Sequence, residues 1–222
     1  MRYLDLLTAL FATVLLVSNV ASTKLVVLGP FTFDGGTLLF PLAYIFGDVL
    51  TEVYGYRKSR RAIWIGFFAL LLATLTFQAV AHLPAPPDAE SQRFGEAFGL
   101  LLGLTPRIVL GSLLAYFLGE FANAYVLAKL KVRTEGRFFW LRALASTLVG
   151  QGLDTGVFLL VAFYGVFPKE VLLAVFLSNY AFKLGVEALM LPFTYAVVGF
   201  LKRAEGMDAY DRDTDFNPFR LT

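Results

Sequence analysis

From Ile63 to Ala81 the chain reads "IWIGFFALLLATLTFQAVA", with no charged side chain. The run exceeds the roughly 18 apolar residues that suggest a membrane crossing. In hydrocarbon every backbone N–H and C=O must be satisfied internally, so such a run folds as a helix. It has company. The 222 residues are 58% hydrophobic and 16% charged, with a mean hydropathy of +0.68. Soluble domains run roughly 45–50% apolar and about 25% charged. An all-α, polytopic membrane protein is therefore expected, forming one domain over residues 1–222.

The apolar runs predict six spans: about Leu4–Leu28, Thr37–Tyr56, Arg61–Ala81, Pro106–Leu130, Phe138–Tyr164 and Pro168–Leu201. Thr105 is an expected N-cap, with Pro106 in the first helical position. The opening "MRYLDLLTALFATVLLVSNVASTK" resembles a signal peptide in its early Arg2 and its small residues. Its length and the spans that follow favour an uncleaved first helix. After the third span, Pro84, Pro86 and Pro87 stop the helix. Phe94, Ala97, Phe98, Leu101 and Leu102 then share one helical face. That pattern predicts a short amphipathic helix at the interface, serving as a plain connector or as a lid over an entrance.

Basic loops set orientation. Arg57, Lys58, Arg60 and Arg61 follow the second span, Lys129, Lys131, Arg133 and Arg137 the fourth, and Lys202 and Arg203 the sixth. Six spans put all three clusters on one side, with both termini cytoplasmic. The tail "AEGMDAYDRDTDFNPFRLT" is polar and expected to be flexible from about residue 204.

The second span holds two carboxylates. Leu38, Leu39, Phe40, Leu42, Ile45, Phe46, Val49, Leu50 and Val53 favour insertion by roughly 3–5 kcal/mol together. Asp48 alone costs about 2.5–3.5 kcal/mol near the helix centre. The helix is marginal by itself and must face the bundle interior or a wet cavity. Asp48 and Glu52 are four residues apart and share a face, which Phe40 and Tyr44 extend. Glu52 either pairs with Arg57 or another cation, or acts in coupling or gating.

Other spans repeat the pattern. The first has Asn19 and Lys24, the lysine either snorkelling outwards or serving the site. The fourth has Glu120 and Asn123, and the fifth Gln151 and Asp154. Ser146, Gly150 and Gly152 suit close approach of a neighbouring helix. The sixth has Asn179, Tyr180, Lys183 and Glu187, where Lys183 and Glu187 form an internal pair or belong to the site. Pro192 interrupts that helix. In-membrane ionisable residues on five spans point to a substrate, ion or proton pathway. The third span lacks them and should pack peripherally.

Several classes fall away. There are no cysteines and one histidine, which argues against thiolate or imidazole metal sites and cysteine catalysis. No phosphate-binding GxxxxGK[ST] loop and no HExxH or GxSxG motif occurs. No cofactor is expected, and a net charge of +2 gives no sign of a nucleic-acid partner. Transport or ligand capture is favoured over an integral-membrane enzyme or a structural bundle.

The blocks "SNVASTK", "FPLAYIFGDVLTEVYGYRKSRRA", "GEFANAYVLAKLK", "RALASTLVGQGLDTGVF" and "NYAFKLGVEALMLPFTY" resemble the queuosine precursor transporter family, also called the vitamin uptake transporter family. The resemblance runs from Asn19 to about Leu201 and leaves out the connector and the tail. It implies a bacterial inner-membrane importer of 7-cyano-7-deazaguanine and 7-aminomethyl-7-deazaguanine. A secondary transporter is implied, with Lys24, Glu52 or Glu187 in coupling or gating. The alternative is a capture subunit served by a separate ATPase module. The lipid bilayer is a partner, and a homodimer is compatible with the small residues. For such a ligand, Asp48, Glu120 or Asp154 would accept from the guanine N1–H and amine. Lys183, Asn123, Asn179, Gln151 or Asn19 would serve its polar edges, and Phe40, Tyr44, Phe158 and Tyr180 its faces.

Overall fold

The computed structural model describes residues 1–28, 31–103 and 106–220, and the side chains at 25, 28, 31–34, 37 and 40 lie outside that description. The elements are α1 (Leu4–Ala21), β1 (Leu25–Leu28), β2 (Phe31–Asp34), a 3-10 turn (Gly35–Leu38), α2 (Phe40–Tyr54), α3 (Tyr56–Ala81), α4 (Ala89–Leu102), α5 (Pro106–Arg133), α6 (Phe139–Phe163) and α7 (Lys169–Glu205). The expected N-cap Thr105 lies outside the described residues.

Among the described residues five helices, α1, α3, α5, α6 and α7, are long and apolar enough to cross a membrane. The expected second span does not join them. With 15 residues, α2 reaches about 22 Å at 1.5 Å per residue, against a hydrocarbon core of about 30 Å. Pro41 opens it, and Gly55, at φ 83°, breaks it from α3. The short helix is sheltered because α1, α3, α5 and α7 all pack on it. Backbone that stops at membrane depth is tolerated when protein surrounds it.

The first span ends early for a related reason. The chain turns after Ala21, and β1 pairs antiparallel with β2, Leu25 opposite Asp34. The Gly35 amide closes the hairpin on the Lys24 carbonyl at 2.7 Å. An otherwise helical chain thus carries a small β-hairpin where the end of the first span and a loop are expected. At the other boundary, α3 begins at Tyr56, so the basic cluster expected as a loop forms its first turns.

The two termini meet at one end of the bundle, where Glu205 accepts from the Tyr3 and Arg2 amides at 2.7 and 3.0 Å. The α2–α3 junction, the α5–α6 turn and the end of α7 lie there too, joined by ion pairs. All three basic clusters therefore share this end, called the basic end below. As expected, α3 is peripheral, with Ile65, Phe68, Leu72 and Leu75 exposed along it. The amphipathic helix is present as α4. Asp88 caps it by accepting from the Ser91 amide at 2.8 Å, and Phe94 and Leu100 are largely exposed.

The tail, expected to be flexible from about residue 204, is laid against the basic end. Asp211, 7% exposed, accepts from the Tyr56 amide at 2.9 Å. Arg60 donates to the carbonyls of Asp215 and Asn217, and Trp64 to that of Pro218. Phe216 packs on Tyr56 and Tyr125, and Phe219 on Phe117 and Trp64. Its polar composition hides three aromatic anchors, of which Tyr210 lies under the Lys131 ammonium.

Candidate functional site

Helix periodicity puts Tyr44, Asp48 and Glu52 at successive turns of one face of α2, all at most 1% exposed. These three residues divide the interior into levels.

At the middle level, Asp48 Oδ1 accepts from Asn123 Nδ2 of α5 at 2.8 Å. The carboxyl groups of Glu187 of α7 and Glu120 of α5 are neighbours of Asp48. Among the described residues, Asp48 Oδ2, Asn123 Oδ1, Gln151 Oε1 and Glu187 Oε1 are buried without a hydrogen-bond partner. All four are acceptors, drawn from α2, α5, α6 and α7. Each unmet buried polar atom costs about 1–3 kcal/mol. The hydroxyls of Ser18, Thr147 and Thr155 are unpartnered as well, and these can donate or accept.

On one side of this level a cavity of about 360 Å³ opens, lined by Asn19, Tyr116, Asp154, Phe158, Asn179 and Lys183. Its walls extend to Thr23 beyond α1, Ile108 near the start of α5 and Phe163 at the end of α6. It therefore reaches the end of the bundle opposite the basic end. Lys183 Nζ lies 3.1 Å from Asp154 Oδ2. The volume is at the small end of ligand pockets, about 300–1,000 Å³, and suits a compact molecule.

Tyr44 stands between cavity and middle level because α5 and α6 touch there. A Cβ on Gly119 would lie 2.8 Å from the Asp154 Cβ, and one on Gly150 2.8 Å from the Asn123 Cβ. The same added atoms would come within 3.1 and 3.3 Å of Tyr44. Only glycine allows this approach, which brings α5 and α6 together beside Tyr44. Gly150 thus has the packing role expected of it, while Gly152 faces Tyr180 at a looser 3.7 Å.

Toward the basic end the interior is closed by charge. Glu52 accepts from Arg142 Nη1 and Nη2 at 2.6 and 3.1 Å and from Lys202 at 2.7 Å. Lys131 lies 3.5 Å from the Glu52 carboxylate and donates to its backbone carbonyl at 2.5 Å. Lys131 and Lys202 both also reach Asp208 in the tail. Burial works against ionising Asp208, but the hydrogen bonds from both lysines outweigh it and hold its carboxyl below the usual range. Glu52, Arg142 and Lys131 are all nearly inaccessible.

The residues singled out in the sequence thus divide. Asn19, Asp154, Asn179 and Lys183 line the cavity. Tyr44, Asp48, Glu120, Asn123, Gln151 and Glu187 are buried at or beside the middle level. Glu52 is ion-paired, with Arg142, Lys202 and Lys131 in place of Arg57. Lys183 reaches Asp154 of α6. Tyr180 lies outside the cavity walls, donating to the Leu148 carbonyl at 2.8 Å and stacking on Phe176. Lys24 is exposed at the mouth of the hairpin. The Phe40 side chain lies outside the described residues. Among the described residues no cluster of three or more His, Cys, Asp or Glu is placed to hold a metal ion.

Arg142, Lys131, Lys202 and Asp208 are missing from the sequence-derived set. Lys131 and Lys202 look like ordinary loop charges. Arg142 carries the one available signal, an arginine inside the apolar run "FFWLRALAS".

Residues 34–197 match the model of a family described as "Putative vitamin uptake transporter". The "Probable queuosine precursor transporter" of Bacillus subtilis (strain 168) is 37% identical over 188 residues, which are 84% of this chain and 80% of that protein. The "Queuosine precursor transporter" of Escherichia coli (strain K12) is 27% identical over 168 residues, 73% of this chain and 71% of that protein. That of Haemophilus influenzae, named "Probable queuosine precursor transporter", is 26% identical over 166 residues, 73% and 67% of the two chains. No solved structure matches the chain significantly.

Proposed function

The chain belongs to the vitamin uptake transporter family, and from that premise we propose that it imports queuosine precursors, the 7-deazaguanines, across the bacterial inner membrane. It is a multi-pass membrane transporter, not an enzyme. The observation that carries the substrate reading is the set of unpartnered buried acceptors around Asp48. A 7-deazaguanine presents N1–H, an exocyclic amine and a pyrrole N–H, all donors. Asp48, which the ligand reaches from the cavity once Tyr44 shifts aside, accepts from N1–H and the amine together, a charge-assisted pair. Lys183 donates to O6 from the cavity wall, and Tyr44 and Phe158 flank the ring. An aminomethyl group finds a carboxylate in Glu120 or Glu187.

The same reading supplies six crossings. The hairpin and α2 together make the sixth, so both termini and the basic end face the cytoplasm. The cavity then opens to the outside, and the Glu52 ion pairs close the cytoplasmic exit. Transport is secondary, with protons as the coupling ion. Asp48, Glu120, Asp154 and Glu187 share the interior with Lys183 as their near cation. Uncompensated buried charges cost several kcal/mol each. Protons that enter with the substrate and leave with it relieve that cost.

The test is uptake of radiolabelled 7-cyano-7-deazaguanine by purified protein in sealed liposomes without ATP. Uptake driven by an inward proton gradient and abolished by an uncoupler supports the reading. Indifference to both removes the coupling, and dependence on an added ATPase module replaces importer with capture subunit.

A further inference from the structure

The C-terminal segment from Gly206 to Arg220 lies outside the family match, which ends at residue 197. It nonetheless bonds to α2, α3, α5 and α7 at the basic end. Ala209 N donates to the Val53 carbonyl at 3.2 Å, beside the last turn of α2. Asp211 takes the first amide of α3 at 2.9 Å. Asp208 takes Lys131 of α5 and, at 2.9 Å, Lys202 of α7. Those lysines are also partners of Glu52. Gly55 is shaped for the contact, since a Cβ there would lie 3.1 Å from Ala209 and 3.3 Å from the Asp211 carboxylate.

The charge count gives the tail its role. Arg142, Lys131 and Lys202 converge on one carboxylate, Glu52. Three cations on one anion repel each other in a poorly solvated place. Asp208 supplies a second anion, so with the tail docked the three cations face two carboxylates in place of one. The aromatic anchors hold it in place, Phe216 on Tyr56 at 4.8 Å and Phe219 on Phe117 at 5.8 Å. Both clamp α3 to α5 across the α2–α3 junction.

Resting on the transport reading above, we infer that the C-terminal segment is a latch on the exit. It supplies the counter-charge that holds the Glu52–Arg142 lock shut, and it must undock before α2 can part from α5, α6 and α7. Release of substrate is then governed by a segment that touches neither the cavity nor Asp48.

The chain has no cysteine, so one introduced thiol reports without background. Ser146 is fully buried, one helical turn inward of Arg142 on the same face of α6. In a Ser146→Cys parent, a membrane-impermeant maleimide is applied to right-side-out and to inverted vesicles, so reach from each face is scored separately. Two changes are made in that parent: a stop after Gly206, and Asp208→Asn. Labelling from the basic face should accelerate about tenfold in both, the loss expected for charged hydrogen bonds. Labelling from the opposite face should not change. If the truncated chain is not monodisperse, Asp208→Asn decides alone. Unchanged labelling in a folded Asp208→Asn protein overturns the latch. Deazaguanine uptake is measured on the same vesicles. Faster labelling with no uptake in the parent keeps the latch and rejects the substrate. Normal uptake with unchanged labelling does the reverse.

Discussion

Asp48 and Glu52 stand one turn apart on α2, and their partners separate their roles. Asp48 has one neutral donor, Asn123, and an oxygen left over. Glu52 is saturated by Arg142, Lys202 and Lys131. Asp48→Asn keeps shape but replaces an acceptor with a donor, so uptake should vanish while expression and melting temperature stay near normal. Glu52→Gln acts differently, because it strands a buried Arg142 that is 1% exposed at its side chain. Breaking such a pair costs about 3–5 kcal/mol. The variant should melt markedly lower in detergent, and Glu52→Gln with Arg142→Gln should recover much of the loss. Equal melting of single and double variants would refute the pairing energy. The depth of Asp48 was legible from sequence because a carboxylate amid nine apolar residues demands a reason. The identity of Glu52's partners was not, since Arg142 and Lys202 come from segments 90 and 150 residues away.

At the scale of elements, the levels depend on α5 crossing α6 at Gly119 and Gly150. Gly150→Leu forces these helices apart where Asn123 and Tyr44 meet them. Overpacking of this kind costs about 1–3 kcal/mol. Uptake should fall more steeply than stability, since the displaced groups adjoin Asp48. A variant that loses stability but keeps uptake would show that the crossing does not position the site. Gly150 was readable as a place where a neighbouring helix comes close, but its partner Gly119 on α5 was not. The hairpin ahead of α2 was not readable. The apolar residues "LVVL" of β1 continue the hydropathy of α1, and nothing in a hydropathy pattern separates a short apolar strand from the end of a helix over so few residues. The tail misled for the opposite reason. Its charges look solvated, yet Asp208 and Asp211 meet donors that only the assembled basic end provides.

For the whole molecule, one end holds a polar cavity and the other an ion-paired lock joined by the tail. The lock's dependence on pH follows from Asp208, whose neighbours are Lys131 and Lys202, with Glu52 behind them. Its carboxyl is held below the usual aspartate value of about 3.9. A depressed carboxylate stabilises docking fully above that value and loses it as pH falls through the lower, folded one. Asp215, held low first by the side chain of Arg220 and then by the Asn217 amide, acts in the same direction. Docking should therefore be flat from pH 5 to 8 and fail only below about pH 4. Trp64, which bonds to Pro218, reports it by emission once Trp140, the second of two tryptophans, is replaced by Phe. A transition near neutral pH would contradict this.

The central claim is that the acceptors around Asp48 bind the donor edge of a 7-deazaguanine for import. It is tested most directly by uptake of 7-cyano-7-deazaguanine into liposomes holding only this protein. The prediction is concentrative, proton-driven, ATP-independent uptake that 7-aminomethyl-7-deazaguanine competes away and Asp48→Asn abolishes. No uptake by the native chain, or undiminished uptake in Asp48→Asn, would contradict it.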